Sequence, residues 1–375
     1  EPGLLFGPRE MRLYPNGALA SHILGGASFG REGVHSAEVI GTAGIEKFFD
    51  DELRDPAREG APLELSLDLT IQAATERVLQ GGMNLMNAKG AASILMDIYT
   101  GEVIAIASLP DFDPNDRPRP LTQGEAADSP LFNRAVQGVY ELGSTFKLFP
   151  VAQALDEKLI NPNTMINASS PMKIGKYLIH DFHNYGGQLS VRDVIAKSSN
   201  VGTVRVAQML GAERQQKFLR ELGFFDPTPV EMTEAPTGKP LVPRRWPAVT
   251  QATVAFGHGL AASPLHLASA YATIANDGRR VRPTLVHRRE PPRGEPVLSP
   301  KAAAAARDLL RGVVTRGTAK AAEVPGYGVG GKTGTADKPK PGGGYYNSKV
   351  VSTFAAMYPT DAPEYVLVVS LDEPS

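Results

Sequence analysis

The segment Glu141-Leu-Gly-Ser-Thr-Phe-Lys-Leu-Phe-Pro150 sets a hydroxyl, Ser144, three residues before an amine, Lys147. On a helix, residues at that spacing are neighbours on one face, so the amine can reach the hydroxyl. Gly143 reads as a turn. The apolar run Phe146, Leu148, Phe149, Val151, Ala152, Ala154, Leu155 reads as a buried helix with Ser144 in its first turn. Such a pair suits nucleophilic chemistry: the hydroxyl attacks a carbonyl while the amine takes its proton. Lysine's ordinary pKa is the obstacle, since an unperturbed amine is neutral in roughly one molecule in two thousand at pH 7. Burial in the apolar helix or a second cation nearby would have to depress it. Ser170-Pro-Met-Lys173 repeats the spacing, but Pro171 and Gly175 argue against a helix there.

Two polar clusters follow in chain order. Lys197-Ser198-Ser199-Asn200 falls at a break between helical stretches, where side chains could face a cleft or simply cap the next helix. Gly331-Lys332-Thr333-Gly334-Thr335 reads as a strand on which Lys332 and Gly334 share one face, Thr333 and Thr335 the other. Gly334 leaves that backbone open to close approach by a ligand. Rival motifs lack their context. Gly326 to Thr333 fits the phosphate-loop spacing, with Val366 to Glu373 as a possible acidic strand, but Gly334, Pro339, Pro341 and Gly342-Gly-Gly344 cannot continue into the required helix. Gly26-Ala-Ser28-Phe-Gly30 matches a nucleophile elbow in letters only and reads as a glycine-rich turn. His180 and His183 lack the further clustered ligands that a metal site needs, so no metal is expected.

The elements that must position these groups can be read from periodicity. Residues 1 to about 58 form a small, extended N-terminal module without a long periodic helix. Leu63 to Leu67 alternates like a strand, Thr70 to Met86 is helical, and Ala91 to Met96 with Val103 to Ala107 makes a hairpin across Tyr99-Thr-Gly101. Residues 110–130 are a long loop, and Leu189 to Gly223 gives short helices. Helices over Ser263 to Asn276 and Lys301 to Val314 precede strands near Gly328 to Thr335, Val350 to Met357 and Tyr365 to Leu371. Strands at both ends with helices between them predict an α/β domain over 59–375. The 375 residues carry a formal charge of −1 with signs interspersed, which argues against a nucleic-acid partner. Without cysteine there is no disulfide or thiolate site, and no apolar run reaches the eighteen residues of a spanning helix.

Ser144-Thr-Phe-Lys147, Ser198-Ser-Asn200 and Lys332-Thr-Gly334, in that order, resemble the three active-site motifs of penicillin-binding proteins and serine β-lactamases. Arg12-Leu-Tyr-Pro15, Gly44 to Asp50, His180-Asp-Phe-His183 and Ala255-Phe-Gly-His-Gly259 leading to Ser263-Pro-Leu265 narrow the resemblance to class B, closest to the septal transpeptidases of Gram-negative bacteria. The resemblance implies an antiparallel five-stranded sheet between helical layers, preceded by a pedestal, and no cofactor. It implies Ser144 as nucleophile, Lys147 as its base, Ser198 as proton relay, Asn200 holding substrate or Lys147, and Lys332 as the second cation. Thr333, Gly334 and Thr335 would bind the substrate carboxylate, with the Ser144 and Thr335 amides as oxyanion hole. Peptidoglycan stem peptides and β-lactams are the implied ligands, a membrane glycosyltransferase and other division proteins the implied partners. The implied location is the periplasmic face of the inner membrane, with an anchoring helix outside these residues. A β-lactam sensor or a β-lactamase would share the acylation chemistry, but no deacylating Glu-x-x-Leu-Asn occurs. The sequence departs from the pattern at Leu142, where proline is usual, and at His258, where an aromatic or glutamine is common. A closing helix is expected after Ser375.

Overall fold

The computed structural model of the chain describes residues 11–29, 39–340 and 342–375. Its centre is a five-stranded antiparallel sheet of β1 (Gly90–Asp97), β2 (Val103–Leu109), β3 (Gly330–Pro339), β4 (Tyr345–Tyr358) and β5 (Tyr365–Asp372), in the order β3-β4-β5-β1-β2. The first hairpin turns where expected because Asp97 Oδ1 accepts the Tyr99 and Thr100 amides, each at 2.8 Å, and Gly101 takes φ +74°. The C-terminal strands insert between that hairpin and the edge strand β3, so chain ends far apart in sequence become sheet neighbours.

Alternation along the strands divides the sheet into two apolar faces. Ala91, Ala107 and Leu109 pack with Leu79 of helix α1 (Leu69–Leu85). Ala92, Ile94, Met96, Val366 and Val368 face the main core on the other side. Among the described residues, α1 is the first of eight helices of six residues or more. The others are α2 (Leu148–Asp156), α3 (Val191–Ala196), α4 (Asn200–Leu210), α5 (Ala212–Glu221), α6 (Ala248–Ala255), α7 (Pro264–Ala275) and α8 (Pro300–Arg316). Every residue of α7 is buried, which explains its apolar sequence all round. It packs on β5, β1 and β4, while α8 lies along β3. Among the described residues no helix is long and apolar enough to cross a membrane.

Three expectations change. Leu63 to Leu67 makes only the isolated bridge Leu65 to Val286. Its alternating leucines mark partial burial against the core, which needs no ladder. Gly26 to Phe29 is a strand rather than a turn, paired antiparallel with Val39–Ala43, while Gly30 lies outside the described residues. Ser144 sits in a 3-10 turn, Gly143–Lys147, that runs into α2, not in the α-helix itself.

Candidate active site

The nucleophile turn begins at Gly143, whose φ of +56° suits glycine. The 3-10 geometry eclipses residues three apart, which stacks Ser144 over Lys147. Without proline at position 142 the turn is held by other bonds: Thr145 Oγ1 donates to the Leu142 carbonyl (2.8 Å), and the Gly143 amide donates to Gly257 (3.2 Å). Tyr271, from the buried helix α7, donates its hydroxyl to the Thr145 carbonyl (2.7 Å). The edge strand β3 lies directly against this turn. A Cβ on Gly334 would stand 2.5 Å from the Leu142 oxygen, and one on Gly143 would stand 2.6 Å from the Thr335 oxygen. Both glycines are therefore needed for backbone to meet backbone, which brings the Ser144 and Thr335 main chains side by side.

The second cluster projects into the same place. Ser198 sits between α3 and α4 in a left-handed conformation, φ +61°. The capping role suspected for this cluster falls on Ser199, whose hydroxyl accepts the Gly202 amide (2.9 Å), and this leaves Ser198 Oγ for other partners. Lys147 Nζ donates to Ser198 Oγ (2.9 Å) and to the Ser198 carbonyl. Lys332 Nζ donates to the same hydroxyl (3.0 Å) and to the Thr333 carbonyl (2.9 Å). One hydroxyl thus bridges two lysine amines, both buried, at 1% and 0% exposure.

That burial answers the pKa problem. Burial pushes Lys147 well below its ordinary value, the Lys332 charge pushes it further, and Asp181 opposes both. Burial also lowers Lys332, to about 7. Thr333 Oγ1 meets Thr318 Oγ1 (3.1 Å), and Thr335 is exposed on the edge strand.

Of the two places expected for Asn200, on the substrate or on Lys147, the structure shows no bond to Lys147: the Asn200 Nδ2 donates to the His180 carbonyl (2.8 Å). Asp181, next to it, carried no signal in the sequence beyond its motif. Its carboxylate accepts the Ser199 hydroxyl (2.6 Å) and the Val201 amide (2.9 Å), clamping the strained loop from outside. His258 lies between the rings of Phe256 and Tyr345, and Tyr345 donates to Glu141 (3.0 Å) across the mouth of the site. The rival motifs dissolve. Lys173 is exposed on a short strand, and Lys332 lies within a ten-residue strand with no helix after it. His183 packs edge-on against Phe182 and Tyr185.

The family model for the penicillin binding protein transpeptidase domain matches residues 91–375. The chain belongs to the penicillin-binding protein transpeptidase family. A second model, for the penicillin-binding protein dimerisation domain, matches residues 1–58. Among penicillin-binding relatives, the chain is 38% identical over 385 residues to a probable peptidoglycan D,D-transpeptidase FtsI of Caulobacter vibrioides, covering 100% of this chain and 62% of the relative. It is 34% identical over 382 residues to a probable peptidoglycan D,D-transpeptidase PenA of Neisseria gonorrhoeae, covering 97% and 64%. The chain therefore spans less than two thirds of the length of these curated relatives. Crystal structures of penicillin-binding protein 3 of Mycobacterium tuberculosis, one complexed with aztreonam and one with ampicillin, superpose with a TM-score of 0.85 at 32% identity, covering 97% of this chain.

Proposed function

We propose that the protein is a serine-type peptidoglycan D,D-transpeptidase. Ser144 Oγ attacks the carbonyl between the two terminal D-alanines of a stem peptide and passes its proton to neutral Lys147. The C–N bond then breaks. D-alanine leaves with a proton relayed through Ser198 Oγ, and the peptide stays esterified to Ser144. An amine of a neighbouring stem attacks that ester, gives up a proton, and restores Ser144 as the cross-link forms. The Ser144 and Thr335 amides receive the oxyanion. Lys332, Thr333 and Thr335 draw in the terminal carboxylate, and Gly334 lets the substrate backbone approach. Asn200 orients the substrate amide from its post on the His180 carbonyl.

The observation that carries this reading is the single Ser198 hydroxyl shared by two buried lysines, one of them in the turn that carries Ser144. Like charges buried together favour a neutral amine, which is what a base must be. β-Lactams mimic the donor and esterify Ser144. Residues 1–58 form the pedestal and 59–375 the catalytic domain. By its likeness to the septal enzymes, the protein works at the periplasmic face of the inner membrane, with a membrane glycosyltransferase supplying glycan and other division proteins beside it.

Intact-mass measurement after incubation with benzylpenicillin tests the assignment. The parent should gain one stable adduct and Ser144→Ala none. An unmodified parent, or an adduct that survives in Ser144→Ala, overturns it. Decay of the adduct within seconds would instead support a β-lactamase.

A further inference from the structure

A cavity of about 540 Å³ opens between the end of α5, the loop that follows it, the start of α7 and the segment from Arg280 to Val297. It contains none of the residues assigned above. Three arginines line it, Arg220, Arg280 and Arg282, and so do Glu221, Asp226 and Glu295. The pairing among them is uneven. Arg282 is bonded to Glu295 (2.8 Å), and Glu221 lies 3.8 Å from Lys217. Arg220 stacks on Phe225 at 4.6 Å, and the backbone carbonyl of Asp226 accepts from His266 (2.8 Å). Among the described residues, Arg280 and Arg220 have no carboxylate within ion-pair distance.

Arg280 is the better placed of the two. Its Nη1 donates to Ser269 Oγ and to the Val281 carbonyl, each at 2.6 Å, which fixes the plane of the guanidinium. Those bonds use one nitrogen of the fork; among the described residues, Nε and Nη2 have no acceptor. Nη2 lies over Gly223, where a Cβ would come within 2.1 Å and where φ is +93°. Glycine thus leaves room for the guanidinium. Thr228 lines the same cavity and is 7% exposed, and its hydroxyl is buried without a partner. A buried hydroxyl without an acceptor is costly unless something accepts from it, and the free edge of Arg280, half-buried beside it, still has two donors to give. Burial, and then the neighbouring Arg282 charge, hold Arg280 down to about 10 against the weaker attraction of Glu295.

We infer that this cavity is a binding site for a small anionic ligand, whose carboxylate or phosphoryl oxygens bond the free edge of Arg280, with Thr228 and Arg220 completing the cradle. A planar fork with two unused donors matches two oxygens of such a group. The site is separate from the lysine pair but physically connected to it. His266 on its wall stacks on Phe224 (6.4 Å), and Phe224 packs on Phe146 (4.8 Å), which lies between Ser144 and Lys147 in the nucleophile turn.

The test is thermal unfolding of the whole chain, titrated at constant ionic strength with inorganic phosphate in one arm and malonate in the other, against chloride. A ligand of the folded state raises Tm saturably. At least one anion should do so, and the arm that responds distinguishes phosphoryl from carboxylate recognition. Arg280→Gln should weaken the half-saturating concentration by about tenfold, the worth of a charge-assisted bond. Thr228→Val should weaken it less, and it carries the test if Arg280→Gln fails to fold. Both variants should keep the parental rate of acylation by penicillin. No saturable rise over chloride overturns the inference. So does a response unchanged in every folded variant, because that would put the anion elsewhere, the two active-site lysines included.

Discussion

Two buried groups of charges lie on this fold, and they are built on opposite rules. Near the end of β5, Arg134 Nε lies 3.3 Å from Asp372, which also accepts from Lys338 (2.8 Å); Lys338 reaches Glu373 (2.8 Å), and Glu373 reaches Lys349 (3.2 Å). Signs alternate along this chain. Arg134 and Asp372 are almost fully buried, and Gly90 makes room for the guanidinium, since a Cβ there would stand 2.1 Å from Arg134 Nε. Burial pulls Lys338 down, but its bonds to Asp372 and Glu373 outweigh burial and hold it above its ordinary value. At the active site, Lys147 and Lys332 have the same sign, and only a neutral hydroxyl stands between them. The first arrangement stabilises the charged forms and the second destabilises them. A fold that can neutralise buried charge at one place and leaves it uncompensated at another has given up stability at the second for reactivity.

Crossing the two clusters by mutation should separate these roles, and the effects are large. Lys147→Met should slow acylation by penicillin by about a thousandfold or more, as expected when a general base is lost. Its stability in urea should be unchanged or higher, because a buried amine whose charged form is disfavoured by burial and by Lys332 has been replaced by an apolar side chain. Arg134→Met should do the reverse. It strands Asp372 beside Lys338 and should lower stability by about 3–5 kcal/mol while leaving the acylation rate of folded molecules near the parental value. Equal losses of stability in both variants would sink the contrast.

A smaller effect is set by pH. Lys332 has its folded pKa near 7, below the ordinary lysine value of about 10.4 in the unfolded chain. Below 7 both states hold the proton and the folded state bears the full cost of burying it. Between about 7 and 10 the unfolded state holds more protons, so stability rises with pH across that window. Lys147, shifted in the same direction, adds to the slope. Urea unfolding at pH 6.5, 8 and 9.5 should therefore show increasing stability for the parent and a flatter profile for Lys332→Met. An equal slope in the two would mean that Lys332 keeps its charge when folded.

What could be read from sequence divides along the same line. Periodicity gave the hairpin, the buried helix α7 and the closing strands, because alternation and helical spacing are local records of burial. The order of the three motifs singled out Ser144, Lys147, Ser198 and Lys332 as candidates, though not the shared hydroxyl, which depends on the left-handed turn at Ser198. Nothing local marks Ser199 as the cap or turns Asn200 toward His180, since both follow from the Asp181 loop packing across from another segment. Leu63 to Leu67 misled for a related reason. Its alternation is real, but whether a ladder forms depends on the partner segment near Val286, which pairs at only one position.

The smallest predicted effect concerns Asp181, among the described residues the one carboxylate whose charge acts on Lys147. Lys332 approaches from β3, His258 from the turn after α6, and Asp181 from the loop before α4. Asp181 both clamps the Ser198 loop and raises the Lys147 pKa against burial and Lys332. Asp181→Asn separates the two roles, because its amide oxygen can still accept the Val201 amide while the charge is gone. Removing a negative charge disfavours protonated Lys147, so the neutral amine persists to lower pH. The acid limb of the acylation rate should move to lower pH by less than about one unit, with the plateau near the parental rate. A uniform loss at every pH, with the limb unmoved, would leave Asp181 as a clamp and nothing more, and would assign the tuning of Lys147 to burial and Lys332 alone.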